Sequence, residues 1–141
     1  MYNSKNILYI VSSISAIEKA FNYTKSFNTA TELLEANEQL YFNATITLLI
    51  AIAEEIKKID NQLLQLESGI EWQNIADMRN VLAHDYRGID DEIVFDVIKN
   101  ELPKLKLVLV QFLKLFPEYE VEEVLETKQY QALKKIILGI E

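Results

Sequence analysis

Cysteine is absent from this chain of 141 residues, which excludes disulfides, a thiolate nucleophile and thiolate metal ligands, and permits a reducing cytoplasm. Histidine occurs once, at His84, which argues against a histidine-built metal site. Glycine and proline number three and two, so the chain contains few of the residues that interrupt regular structure. The longest apolar run, residues 48–53, is far below the ~20 residues that span a bilayer. The apolar stretch at residues 7–11 is too short for a secretory core, and these two readings together predict a soluble cytoplasmic protein. Basic residues are outnumbered, 14 Lys and Arg against 22 Asp and Glu, for a net charge of −8. That balance disfavours a protein that coats nucleic acid, which relies on many cationic contacts to phosphate. It leaves room for a small basic cleft on an acidic body, or for docking of a basic partner.

What is present is apolar residues, half of the total, in a chain the length of one domain, so residues 1–141 are expected to form a single core. Their spacing is three and four throughout, which predicts helices. A first helix over residues 4–23 presents Ile7, Ile10, Val11, Ile14, Ile17, Ala20 and Phe21 on one stripe. A linker over residues 27–31 and a short helical turn lead to a long helix over residues 37–59, with Phe42, Thr45, Leu48, Leu49, Ile52, Ile56 and Ile59 inward. A short helix over residues 61–67 stops at Ser68-Gly69. Another begins near Trp72, packs through Ile75, Met78, Val81 and Leu82, and ends between His84 and Gly88. Asp90 and Asp91 make an acidic start for the next helix, Pro103 is expected to break or kink it, and residues 105–116 continue it. Pro117 ends that segment, and residues 122–138 predict a final amphipathic helix. The fold class is all-α, a helical bundle.

Both arginines and the lone histidine fall within nine residues, Arg79 to Arg87, while every other positive charge is a lysine. Arginine holds phosphate in a fixed fork, and histidine exchanges a proton near neutral pH, so the cluster points to chemistry on a phosphodiester. Helix geometry complicates this. Five residues place Arg79 and His84 about 140° apart on a continuous helix. Their convergence needs the helix to end or bend near His84, a long side chain to wrap its end, or a second subunit. The residues alone also admit a structural reading: His84 capping carbonyls at a helix end, Arg79 paired with Glu54 or Glu55, and Tyr86 in the core with its hydroxyl satisfied. Trp72 reads as a core anchor, and Asp90, Asp91 and Glu92 as a solvated helix start without the further ligands a metal needs.

The pattern Arg79-Asn80-x-x-x-His84-x-Tyr86 resembles the signature of HepT-like HEPN-domain toxins, which pair with minimal nucleotidyltransferase (MNT) antitoxins. Residues 70–89, with Trp72 and Ile75 ahead of Arg79, resemble the family's central block. Ala51-Ile52-Ala53-Glu54-Glu55 resembles its second-helix block, and Asn100-Glu101-Leu102-Pro103-Lys104-Leu105 its Leu-Pro-x-Leu segment. The likeness covers residues 48–113 well, and Ala53 stands where the family commonly has glycine.

The resemblance implies an antiparallel HEPN bundle that forms a homodimer, its motifs facing across the interface to make a composite ribonuclease cleft with no metal or other cofactor. His84 would act as general base or acid on the ribose 2′-hydroxyl or the leaving oxygen, and Arg79 would hold the phosphate. Asn80 would orient His84 or contact phosphate, Asp85 would tune the histidine, and Arg87 would be an additional phosphate clamp. Tyr86 would accept AMP from the antitoxin, adding charge and bulk at the cleft mouth. The substrate would be tRNA or mRNA, and no membrane partner is implied. Two other readings remain beside the toxin: a HEPN subunit that binds a nucleotide or partner without cutting, and a plain dimerisation module.

Overall fold

The computed structural model describes residues 2–139, apart from the side chain of Tyr86, and all its regular structure is helical. The helices are α1 (Lys5–Thr24), α2 (Ala30–Glu35), α3 (Leu40–Lys58), α4 (Asn61–Leu64), α5 (Trp72–His84), α6 (Asp91–Asp96), α7 (Leu102–Leu113), α8 (Glu118–Leu125) and α9 (Lys134–Leu138). Among these residues no helix is long and apolar enough to cross a membrane.

Helix α1 lies at the centre of the bundle, packed against α3, α7 and α8. Its stripe of Ile7, Ile10, Val11, Ile14, Ile17 and Ala20 is sealed from solvent, as the spacing predicts. Ser13 is buried as well, its hydroxyl donating to the Tyr9 carbonyl at 2.9 Å, which satisfies a polar group that burial would otherwise strand. Asn6 fixes one end of the helix. Its Nδ2 donates to Asp60 Oδ2 at 3.0 Å while its Oδ1 accepts from the Asp60 amide at 2.9 Å, tying α1 to the end of α3.

Helix α3 buries Phe42, Thr45, Ile46, Leu49, Ile52, Ala53 and Ile56, but begins at Leu40 rather than residue 37. Asn37, Glu38 and Gln39 adopt left-handed backbone, with φ of 48°, 57° and 69°, so the chain reverses its winding immediately before the helix. Without a glycine there, the sequence contains no sign of that turn.

Trp72 is the anchor its size predicts. Its indole Nε1 donates to the carbonyls of Leu64 and Glu67 at 2.9 and 3.1 Å, and its ring stacks on Phe112 with centroids 6.2 Å apart. The start of α5 is thereby held against both α7 and the turn after α4. Beyond that anchor α5 is thinly packed: Leu82 is its buried residue, Ile75 and Met78 are half-buried, and Val81 is 54% exposed, against the expectation that it packs inward. Ile75, Met78 and Leu82 complete the stripe against α3, and Val81 falls to its side.

Two expectations about helix continuity take a definite form here. Of the break or kink expected at Pro103, the break does not occur; residues Val97–Glu101 form a π-helical turn just before it, with the Leu102 amide bonded to the Val97 carbonyl. Widening the turn by one residue keeps the proline ring clear of the carbonyl that an α-helical register would drive into it. The tail is not one helix over residues 122–138. Helix α8 stops at Leu125, Thr127 is extended at φ −58°, ψ 130°, and a 3-10 segment Lys128–Leu133 precedes α9. Gln131 Nε2 caps the Glu126 carbonyl at 2.9 Å across this bend. Both halves bury their own apolar residues, Val121 and Leu125 on one side and Tyr130 and Leu133 on the other.

Candidate functional site

Helix α5 ends at His84, and the Asp85 amide closes the last turn on the Val81 carbonyl at 3.0 Å. The chain then leaves helical backbone at Asp85, φ −130° and ψ 54°, and enters a 3-10 turn, Tyr86–Gly88. The Asp85 carboxylate folds over that turn so closely that a Cβ on Gly88 would lie 2.7 Å from its Oδ2. The next helix starts cleanly: at the expected acidic start, Asp90 Oδ1 accepts from the amides of Glu92 and Ile93 at 2.9 and 3.3 Å, so Asp90 is its N-cap.

Arg79 and His84 meet within one chain. Nη1 of Arg79 is 3.4 Å from Nε2 of His84, and also 3.4 Å from Oδ1 of Asn80. The helix does not bend to achieve this; the arginine side chain wraps its end. A second copy is therefore not required to bring the two groups together, as the 140° separation of their Cα positions had left open. The contact carries a chemical implication. A guanidinium only donates, so a hydrogen bond to Nε2 requires that nitrogen to hold its lone pair, with the ring proton on Nδ1. With the guanidinium on Nε2 that lone pair is engaged, and it becomes free to take a proton only when the Arg79 contact opens.

The other edge of the guanidinium is engaged by α3. Nε and Nη2 of Arg79 approach the same oxygen, Oε1 of Glu54, at 3.1 and 3.0 Å. The neighbouring Glu55 turns instead to Lys58, 2.9 Å away, a hydrogen bond that raises the Lys58 ammonium above its ordinary value. Of the two partners the sequence admits for Arg79, Glu54 or Glu55, it is Glu54 that pairs with it. No spacing rule links residues on different helices, so sequence alone carried no further sign of it.

The remaining predicted site residues are spread along the same end of α5. Asn80 is exposed beside the pair, Asp85 is drawn to Gly88, and Arg87 is exposed on the 3-10 turn, making no hydrogen bond or ion pair with Arg79 or His84 among the described residues. The side chain of Tyr86 lies outside the described residues, so its expected role as acceptor has no geometry here. A separate cavity of about 560 Å³ runs between α5 and the α6–α7 segment, lined by apolar Ile52, Ile75, Met78 and Leu105 with Glu71, Asn74, Glu101 and Lys104 among them, and includes none of the predicted site residues. The two arginines and the histidine lie at the exposed helix end instead.

Comparison with known proteins gives the family. The family described as HepT-like, "Ribonuclease HepT-like", matches residues 14–112. A Thermococcus cleftensis protein named "Probable ribonuclease HepT" is 31% identical over 98 residues, covering 70% of this chain and 86% of its own length. A Methanocaldococcus jannaschii protein, whose name joins gamma-glutamylcyclotransferase with an RNase, is 27% identical over 107 residues, 76% of this chain. The match spans only 47% of that longer protein. No solved structure matches the chain.

Proposed function

The chain belongs to the HepT-like ribonuclease family, and on that premise we propose that it is a metal-independent endoribonuclease, the toxin of a pair whose other member is an MNT-type nucleotidyltransferase antitoxin. The observation that carries this reading is the 3.4 Å approach of Arg79 Nη1 to His84 Nε2 at a solvent-facing helix end. A long contact of this kind can open to admit a phosphate oxygen. The arginine then holds the anion, and the imidazole stands beside the ribose that carries it.

The reaction is transesterification within the RNA. His84 Nε2 takes the proton of a 2′-hydroxyl, the 2′-oxygen bonds to the adjacent phosphorus, and the P–O5′ bond breaks. An imidazolium returns a proton to the departing 5′-oxygen. Arg79 stabilises the charge that grows on the phosphoryl oxygens, the contribution for which a fixed guanidinium is suited. Asn80 and Arg87 assist in holding the backbone.

The cleft is composite in this reading. Two copies associate through thinly covered apolar surface on α5 and α6, where Val81 and Ile93 are 54% and 63% exposed, and each contributes an Arg79–His84 pair, one imidazole serving as base and the other as acid. RNA, tRNA or mRNA, lies across the seam. The antitoxin transfers AMP to the Tyr86 hydroxyl, and the added phosphate repels and blocks the substrate.

The test is cleavage of total tRNA and of mRNA by the purified chain. His84→Ala and Arg79→Ala, each with an unchanged circular dichroism spectrum, are expected to abolish cutting. Cutting by either variant at the wild-type rate rejects the assignment of these residues, and a wild-type chain that binds RNA without cutting it supports a non-catalytic binding subunit instead. Loss of AMP transfer in Tyr86→Phe checks the acceptor, and full modification of that variant refutes it.

A further inference from the structure

Side chains on an α-helix lean toward its N-terminus, so an arginine at position 79 reaches most easily back along α5, away from His84. It is found reaching the other way, five residues forward, to the helix end. The feature that holds it there comes from another helix: Glu54 on α3 takes the Nε and Nη2 protons on a single oxygen, at 3.1 and 3.0 Å. One edge of the guanidinium is thereby fixed, and Nη1 is left pointing at the imidazole.

The pair contributes little to holding the bundle together. Its side chains are 35% and 49% exposed, and ion pairs that open to water add little to stability. Electrostatically it opposes the binding of an anion, since a carboxylate beside the arginine lowers the positive potential an RNA phosphate would meet. A contact that stabilises weakly and disfavours the ligand is accounted for by what it does to geometry. Resting on the ribonuclease reading above, we propose that Glu54 is a positioning residue for RNA cleavage: by gripping the Nε–Nη2 edge of Arg79 it aims Nη1 at the place where His84 and the phosphate meet. Misplacement of a catalytic group by an ångström can cost about 10²-fold in rate, which sets the scale of the effect.

The experiment compares wild type with Glu54→Ala and Glu54→Gln, measuring kcat and KM on one RNA, together with the NMR signals of the Arg79 Nε–H and the His84 ring. The single histidine gives one set of ring signals, and the two arginines give only two Nε signals to assign. The expected result is a kcat lower by about 10- to 100-fold in Glu54→Ala with KM unchanged or reduced, because orientation is lost while a negative charge is removed. Glu54→Gln, which keeps an acceptor, is expected to recover part of the loss. In the spectra Glu54→Ala brings the Arg79 Nε–H into fast exchange with water and moves the His84 ring signals. A contact that is merely structural would lower the melting temperature and leave kcat and the ring signals where they were, and that outcome overturns the proposal. So does faster cleavage by Glu54→Ala, which would make Glu54 a competitor of the phosphate. If His84→Ala cuts RNA like wild type, the ribonuclease reading fails by itself; the NMR comparison needs no turnover and still decides whether Glu54 orients Arg79.

Discussion

Nη1 of Arg79 lies 3.4 Å from Nε2 of His84 although five residues separate them on one uninterrupted helix. Only a side chain as long as arginine spans that distance with a donor to spare for a second partner. Lysine, with one compact ammonium and no fork, cannot face Glu54 and His84 together. Arg79→Lys is therefore expected to keep the fold, with a stability change under about 1 kcal/mol in urea unfolding, and to lose about 10²-fold or more in kcat/KM for RNA. Wild-type kinetics in this variant would show that charge alone, not the two-edged geometry, is what the site uses.

Trp72 holds the opposite end of the same helix. Trp72→Phe keeps a ring against Phe112 but leaves the carbonyls of Leu64 and Glu67 without the indole donor they share. The expected loss is about 1–3 kcal/mol of unfolding free energy. RNA cleavage measured well below the melting temperature should change little, because His84 lies at the far end of the helix, three turns away at 3.6 residues per turn.

Asn6 presents a similar case in the core, where its amide both gives to and takes from Asp60. Asn6→Leu strands those partners, at a cost of about 1–3 kcal/mol. Asn6→Asp sets a second carboxylate against Asp60 and should be worse than Asn6→Leu at neutral pH. Wild-type stability in Asn6→Leu, measured by urea unfolding, would mean that the Asn6–Asp60 tie contributes nothing.

The left-handed turn before α3 makes a prediction of opposite sign. Gln39 sits at φ 69°, a conformation that costs an L-residue with a Cβ about 1–2 kcal/mol and glycine almost nothing. After the extra chain entropy of glycine is subtracted, Gln39→Gly is expected to stabilise the protein by about 0.5–1 kcal/mol. Gln39→Val should destabilise it, and thermal melts of the two variants check the pair.

Where one helix carries one apolar stripe against one neighbour, spacing was enough to read the fold. Ile7 through Ala20 on α1, Phe42 through Ile56 on α3, the Trp72 anchor and the acidic helix start at Asp90 all lie where their chemistry places them. Failures came where backbone made a choice that side-chain pattern does not record. A proline can be accommodated by a π turn as readily as by a break, and the Pro103 ring alone does not say which. In the tail, apolar residues keep helical spacing through Thr127, so a periodicity argument passes over the bend that the extended backbone there creates. Residues 37–39 reverse hand without a glycine to announce it. At the site, the cluster of Arg79, Asn80 and His84 was legible from residue types, but the proximity of the first to the last was not. An angle between Cα positions says nothing of how far an arginine reaches, nor that Glu54 on another helix holds it.

The central claim is that His84, supported by Arg79, removes the proton of a ribose 2′-hydroxyl. Its most direct measurement uses an RNA whose cleavage position has been mapped, remade with a single 2′-deoxy nucleotide immediately 5′ of the cut. The account predicts that the unmodified strand yields a 2′,3′-cyclic phosphate and a 5′-hydroxyl, and that the 2′-deoxy strand is not cut at that position. Cleavage of the 2′-deoxy strand at the same place and rate, leaving a 5′-phosphate, would contradict it.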